Sequence, residues 1–447
     1  MMTIGPIGVG RPDPRGRAGV RRGPGAASRG PGATGRADDR RIAVAAIVIA
    51  AGYLAAAAGA AVALAAGATS ATPWLPIHLA LTGGASTAIA GVMPFFVAAL
   101  AAGPPAPARL RATAVGLVAG GAALVAVHGL APGLGLLPPV GGAVYLAGIA
   151  TTALAVRSSG RAGLMVRRPV VTVGYMLALA NVGIGGTLGT LLVAGWGPAV
   201  ERLVPLRAAH AWTNLVGFVS LVIMATLLHF LPTVLGTRIT ARRSAATAIL
   251  ATAMGSPLVV VGFATGWVPV AGGGAVLTLV GAASLVVEAR LTWLARGRWT
   301  TDPGWHLLTG GGLLAGVGWF AAGSSAASIL VLARVLGLTS DALAWQSAFV
   351  GAPLAIGWVA QVLIASWTHL LPAIGPGTPV DHAVRRAVLG RGARARLVAL
   401  NLGVALVAVG WPLGLEPVAA LGMTLVAAVV VSSVGLAWAS LRLRPPG

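Results

Sequence analysis

The run His210-Ala-Trp-Thr-Asn214-Leu-Val-Gly217-Phe218, continuing to Leu228-His229-Phe230-Leu231-Pro232, decides how the chain is read. It is apolar for about twenty residues, long enough to cross a bilayer as a helix. It nevertheless carries an imidazole and an amide. His210, Asn214, Gly217 and Leu221 fall on one helix face. In that line a glycine would let a flat aromatic group approach the backbone. Two readings stand side by side. His210 and Asn214 either hydrogen-bond neighbouring helices or belong to a functional site, as polar groups inside membranes often do.

Runs of the same kind fill the chain outward from this one. Of 447 residues, 57% are hydrophobic and only 9% charged, where soluble domains carry about 25% charged residues. That excludes a soluble enzyme, a disordered chain and a collagen-like repeat. Apolar runs fall at 42–67, 75–101, 110–131, 139–156, 169–196, 208–231, 243–265, 268–295, 304–335, 342–371, 396–412 and 417–441. The expectation is an all-α polytopic membrane protein with twelve transmembrane helices. Residues 1–40, rich in Arg, Gly and Pro, read as a disordered cytoplasmic tail. Residues 41–445 read as a single transmembrane helical domain. The first apolar run is too long and too late for a cleaved signal peptide.

Arginine placement supports the count. All 31 basic residues are Arg, against 9 acidic ones, for a net charge of +22. Twelve spans with an inner N-terminus put only Arg202, Arg207 and Arg334 outside, which leaves 28 of the 31 inside. The positive-inside rule then places both termini in the cytoplasm and the chain in the cell membrane, with the lipid bilayer as its first partner. Because the arginines are dispersed between apolar runs, nucleic acid is not an expected partner.

There is no cysteine, which excludes disulfides, thiolate metal sites, iron–sulfur clusters and covalent c-type haem. Any metal must use histidine, methionine, carboxylate or backbone. His78, His128 and His210 lie at the outer ends of their helices; His229, His306 and His369 lie at the inner ends. His382 sits in an inner loop beside Asp381. His210 and His229 are separated by about 28 Å of helix, so they cannot share a metal. His78, Thr82 and Ser86 share a face, with Gly83 and Gly84 beside them. Gly185 and Gly189 form a small-xxx-small pair that reads as helix packing. Glu288 is expected to snorkel to the inner surface. Helices 6 and 10 end alike, as Ala225-Thr-Leu-Leu-His229-Phe-Leu-Pro232 and Ala365-Ser-Trp-Thr-His369-Leu-Leu-Pro372. Helix 2 ends as Met93-Pro94-Phe95-Phe96. These similar segments are four helices apart and suggest a threefold pseudo-repeat.

The run from Arg202 through His210, Asn214, Gly217 and Phe218 to Leu231-Pro232 resembles the corresponding helix of haem–copper oxidase subunit I relatives. These include cbb3-type oxidase and nitric oxide reductase large subunits. It looks closer to uncharacterised bacterial membrane proteins of that superfamily, some fused ahead of copper nitrite reductase or multicopper oxidase domains. Ile77-His78-Leu-Ala-Leu-Thr-Gly-Gly and Thr226 to Arg238 are similar to those proteins too. The resemblance implies an oxidase subunit I-like bundle and a b-type haem or copper held by His78 and His210. Asn214 would tune the site, and His128 would be an alternative metal ligand in place of either histidine. It also implies electron transfer linked to nitrogen-oxide or copper redox metabolism, with a separate cupredoxin or multicopper redox partner.

The departures are specific. No histidine occurs in 243–265, where the oxidases hold copper. Helix 10 has only His369, at the wrong end. Trp212 stands where the nearest relatives have a second histidine. A complete haem–copper centre is therefore not legible, and the chain is not expected to be catalytic on its own. Two other classes remain open: a small-molecule or ion transporter with helices broken at Pro257 and Pro353, and a cofactor-free structural membrane subunit.

Overall fold

The computed structural model describes residues 31–443 apart from the connecting positions 68–71, 102–103, 132, 134, 162–168, 239–241, 298–304, 339–347 and 375–377. Twelve helices among the described residues are long and apolar enough to span a membrane. They are α1 Arg41–Leu64, α2 Trp74–Leu100, α3 Ala108–Leu130, α4 Leu137–Ser159, α5 Val170–Val193 and α6 Leu203–Val234, followed by α7 Arg243–Thr265, α8 Val268–Leu294, α9 Leu307–Val335, α10 Ala352–Pro372, α11 Ala393–Gly410 and α12 Glu416–Arg442. All twelve apolar runs in the sequence correspond to these helices. The starts of the runs 304–335 and 342–371 lie outside the described residues. Elsewhere the ends differ by a few residues, because a formed helix extends cheaply into flanking polar residues. For the same reason helix Pro31–Ala65 starts inside the stretch 1–40 expected to be a tail.

The helices group in fours. The third and fourth of each group form the tightest hairpins: α3 with α4, α7 with α8, and α11 with α12. Each hairpin closes on a reciprocal glycine pair: Gly121 with Gly141, Gly255 with Gly274, and Gly403 with Gly422. A Cβ on any of the six would sit 2.6–2.9 Å from the partner glycine's carbonyl oxygen. Close backbone approach through small residues is how membrane helices associate where burial of apolar area gives no drive.

The second helix of each group is central. Buried residues make up 78, 89 and 67% of the apolar cores of α2, α6 and α10, more than in any other span. Each contains a π-helical stretch: Leu79–Ala85, Thr213–Ser220 and Ala352–Ala360. The α10 stretch touches the other two. Each stretch holds a glycine that receives a side chain from the first helix of its group. Gly83 faces the Tyr53 ring, Gly217 faces Asn181, and Gly357 faces Trp319. A widened turn leaves carbonyls off the regular ladder, and two serines answer them. Ser86 Oγ donates to Leu81 O at 3.0 Å and Ser220 Oγ donates to Leu215 O at 2.7 Å. Trp358 Nε1 then donates to Ser220 Oγ at 2.9 Å, joining α10 to α6. The pseudo-repeat suggested by three helix ends is thus a threefold repeat of whole four-helix units.

Two expectations are corrected. Pro257 and Pro353 do not break their helices: Pro257 lies within continuous α7, and Pro353 sits at the start of the α10 π stretch. Glu288 does not snorkel. It is 7% exposed and pairs with Arg242 Nη1 at 2.7 Å, while Ser244 Oγ donates to its other oxygen at 2.6 Å. Arg242 lies just before α7, so the ion pair ties the start of α7 to α8.

Candidate functional site

His78 and His210 meet at the end of the bundle where α2 and α6 begin. Their ring centroids are 6.1 Å apart and their planes differ by 8°. His78 lies in the first turn after Trp74. His210 lies about 10 Å into α6, deeper than its position in the sequence run suggested, because α6 starts at Leu203 and rises 1.5 Å per residue.

Backbone carbonyls fix both rings. His78 Nδ1 is 2.8 Å from Trp74 O, and His210 Nδ1 is 2.7 Å from Gly185 O of α5. A carbonyl can only accept, so in each ring Nδ1 carries the proton. The neutral imidazoles therefore keep their lone pairs on Nε2. Asn214 Nδ2 donates to His210 O at 2.7 Å and stands 3.2 Å from His210 Nδ1. With that nitrogen already protonated, the second approach is a packing contact.

Glycines on α5 admit this arrangement. A Cβ at Gly189 would lie 2.5 Å from His210 Cε1, and one at Gly185 would lie 2.6 Å from Asn214 Nδ2. One helical turn further along, a Cβ at Gly217 would meet Asn181 Oδ1 at 2.6 Å. Thus His210, Asn214 and Gly217 do share a face, and that face is turned to α5. Trp212 is turned to α7, fully buried, with its ring edge-on to Phe263 at 6.3 Å.

Trp74 completes the surroundings. Its ring stacks on His78 at 3.9 Å and meets His128 edge-on at 5.2 Å. His128 thus reaches the pair through the indole. Among the described residues no group of three or more His, Asp or Glu side chains is gathered to hold a metal. The set His78, His210 and His128 is therefore a facing pair with a third histidine set behind Trp74. At the other end of the bundle, His369 meets Phe230 edge-on at 5.2 Å. The His306 side chain lies outside the described residues.

A haem or copper bound here would be held by His78 and His210 through Nε2, the ring nitrogen that neither carbonyl occupies, and two neutral imidazoles are a donor set such a group accepts. The Nδ1–H to carbonyl bonds are the usual outer partners of ligating histidines, since they fix tautomer and ring orientation. A closed four-ligand site does not fit, for want of further donors among the described residues.

No family model matches the sequence, and no curated protein does. Among solved structures, the chain is similar to one reported as "Cryo-EM structure of a heme-copper terminal oxidase dimer provides insights into its catalytic mechanism". The TM-score is 0.64 at 13% identity, over 92% of this chain and 85% of that one. The fold is accordingly that of a haem–copper oxidase subunit I-like membrane bundle. Sequence reasoning missed the contribution of Trp74 and the role of Gly185 and Gly189. The signal was present: both pairs, Gly185/Gly189 and His210/Asn214, step by four on consecutive antiparallel spans.

Proposed function

We propose that this protein is a membrane electron-transfer component that holds a b-type haem or a copper ion between His78 and His210. The observation that carries the reading is the facing pair of rings, each with Nδ1–H committed to a backbone carbonyl and Nε2 left as the donor. When bound, such a centre supplies reversible one-electron transfer. The chain's own residues set its conditions. Trp74 O and Gly185 O hold the tautomers, Asn214 ties its amide to the His210 carbonyl, and Gly189 leaves room for the ring. The indole of Trp74 shields one face of His78. In α7 the position facing Trp212 is Phe263, a hydrocarbon ring, so this part of the bundle offers no imidazole for a second metal. Electron transfer without reduction of oxygen or nitric oxide by the chain alone follows from that.

The arginine distribution supports an orientation with both termini cytoplasmic and the pair toward the outer leaflet. A soluble cupredoxin or multicopper protein could meet it there, and the resemblance ties that partner to nitrogen-oxide or copper metabolism. The test is the visible spectrum of the chain purified after haem supplementation, together with its copper content. A Soret band or bound copper lost in His210→Ala and kept in His229→Ala is expected. Its absence from the wild-type protein in both forms overturns the reading. Cyanide-sensitive turnover with a quinol would overturn the non-catalytic part.

A further inference from the structure

Between α10 and α11 the chain forms a short helix, Pro379–Leu389, whose polarity is inverted for a water-exposed element. Its buried residues are Asp381, Arg385, Val388 and Leu389. Its exposed residues are carbon: Val380 at 65%, Val384 at 47%, and Ala383 and Ala387 beside them. Positions 380, 383, 384 and 387 make one stripe on a helix.

The helix is firmly placed. Thr378 and Asp381 close a capping box, in which Thr378 N donates to Asp381 Oδ2 at 2.6 Å and Thr378 Oγ1 donates to the same oxygen at 2.9 Å. At the other end the buried Arg396 of α11 donates to Leu389 O and, at 3.2 Å, to Ser433 Oγ of α12. The element packs against α10 and α12. It is also short of chain on both sides: α10 ends at Pro372 and α11 begins at Ala393. A helix so closely tethered to two spanning helices lies at the membrane surface.

Its flank is basic. Residues 379–396 contain five arginines and a single acid, Asp381, which is turned inward. Arg391 and Arg394 are exposed. An apolar stripe bordered by exposed arginines is the pattern of an interfacial helix on anionic lipid. A protein partner would have to supply both a carbon surface and several carboxylates. A leaflet supplies acyl chains and phosphates at the depths where the stripe and the arginines sit.

We propose that Pro379–Leu389 lies half-immersed in the leaflet and that Arg391 and Arg394 bind the headgroups of anionic phospholipids. The absence of native cysteine permits a direct test in the full chain. Val384→Cys carries a unique spin label, read in nanodiscs of phosphatidylcholine with and without phosphatidylglycerol. The label should be more accessible to oxygen than to a water-soluble nickel chelate. Preferential access by the nickel chelate would place the helix in water and overturn the proposal. Protection from both would show a second copy covering the stripe, and would overturn it equally. Native mass spectrometry tests the headgroup part. Phosphatidylglycerol retained by the wild-type chain should be lost in the Arg391→Gln/Arg394→Gln double variant and kept in Arg290→Gln, in which an exposed arginine of α8 is replaced. Equal retention in all three proteins would refute binding at this site. Both substituted arginines are exposed, and the melting temperature of the double variant checks that the fold is kept.

Discussion

Two neighbouring glycines of α8 should respond to alanine with opposite sign. Gly274 closes the α7–α8 hairpin, and an added Cβ would lie 2.6 Å from both Gly255 O and Val259 N. Both are backbone atoms of a continuous helix, so neither can turn aside. Restoring an ordinary contact of 3.4 Å from 2.6 Å requires the helices to part by 0.8 Å. A gap of that order forfeits a quarter to a half of the dispersion attraction around it. The loss extends along the hairpin, because Gly262 against Ala271 and Gly281 against Thr252 depend on the same spacing. Overpacking of this kind costs about 1–3 kcal/mol, and the better helix propensity of alanine returns about 1 kcal/mol. Gly274→Ala should therefore lose up to about 2 kcal/mol net. Gly273 is exposed with nothing within 4 Å of its would-be Cβ. Only the propensity gain operates there, and Gly273→Ala should gain about 0.5–1 kcal/mol. Equilibrium unfolding in bicelles, by steric trapping, resolves the difference. A Gly274→Ala protein stabilised as much as Gly273→Ala would refute the close backbone contact.

Three further expectations concern the site, the central helices and the surface helix. Gly189→Ala should drive the His210 ring off Gly185 O and weaken haem or copper binding by about 10–100-fold, measured by titration. Gly183→Ala, with open space around it, should leave binding unchanged. Ser220→Ala removes the partner of both Leu215 O and Trp358 Nε1. It should cost about 1–3 kcal/mol per buried group left unsatisfied, read in the same unfolding assay, and a neutral result would show that the α6–α10 link is dispensable. The hydrogen bonds from Thr378 N and Oγ1, helped by Arg385 and His382, hold the Asp381 carboxyl below its ordinary value. A carboxylate lowered in the fold stabilises it above the unfolded value of about 3.9, and loses that contribution as pH falls through the folded value. The stability difference between wild type and Asp381→Asn should thus be full at neutral pH and shrink in acid. A difference that grows on acidification would contradict the capping box.

The number and limits of the helices were legible because a bilayer leaves the chain few choices: about twenty apolar residues must hydrogen-bond to themselves, and the arginines mark the turns. The meeting of His78 and His210 was legible only through the resemblance, since hydropathy says which helices exist and nothing of which touch. The three π stretches were not legible. A widened turn leaves no compositional mark, and Leu79–Ala85, Thr213–Ser220 and Ala352–Ala360 share little beyond the presence of glycine. Their effect is nonetheless decisive for the site. An extra residue in a turn rotates everything beyond it, so a single regular helical wheel cannot place both ends of α6. His210 precedes the π stretch, Asn214 and Gly217 lie within it and His229 lies beyond it, so a wheel drawn from His210 has no authority over His229. The proline expectation failed for a related reason. Proline removes one donor from the ladder, and in α10 the break in regular bonding is already present as the π stretch that contains Pro353. The glycine pair reads as helix packing, and the structure adds what packs there. Gly185 and Gly189 do serve close packing, as small residues in membrane helices do, but what packs into them is the His210 ring and the Asn214 amide. At this interface the packing and the proposed ligation are one arrangement: the carbonyl that selects the His210 tautomer belongs to Gly185, and a bulkier residue there would remove the space for Asn214 and alter the partner of His210 together.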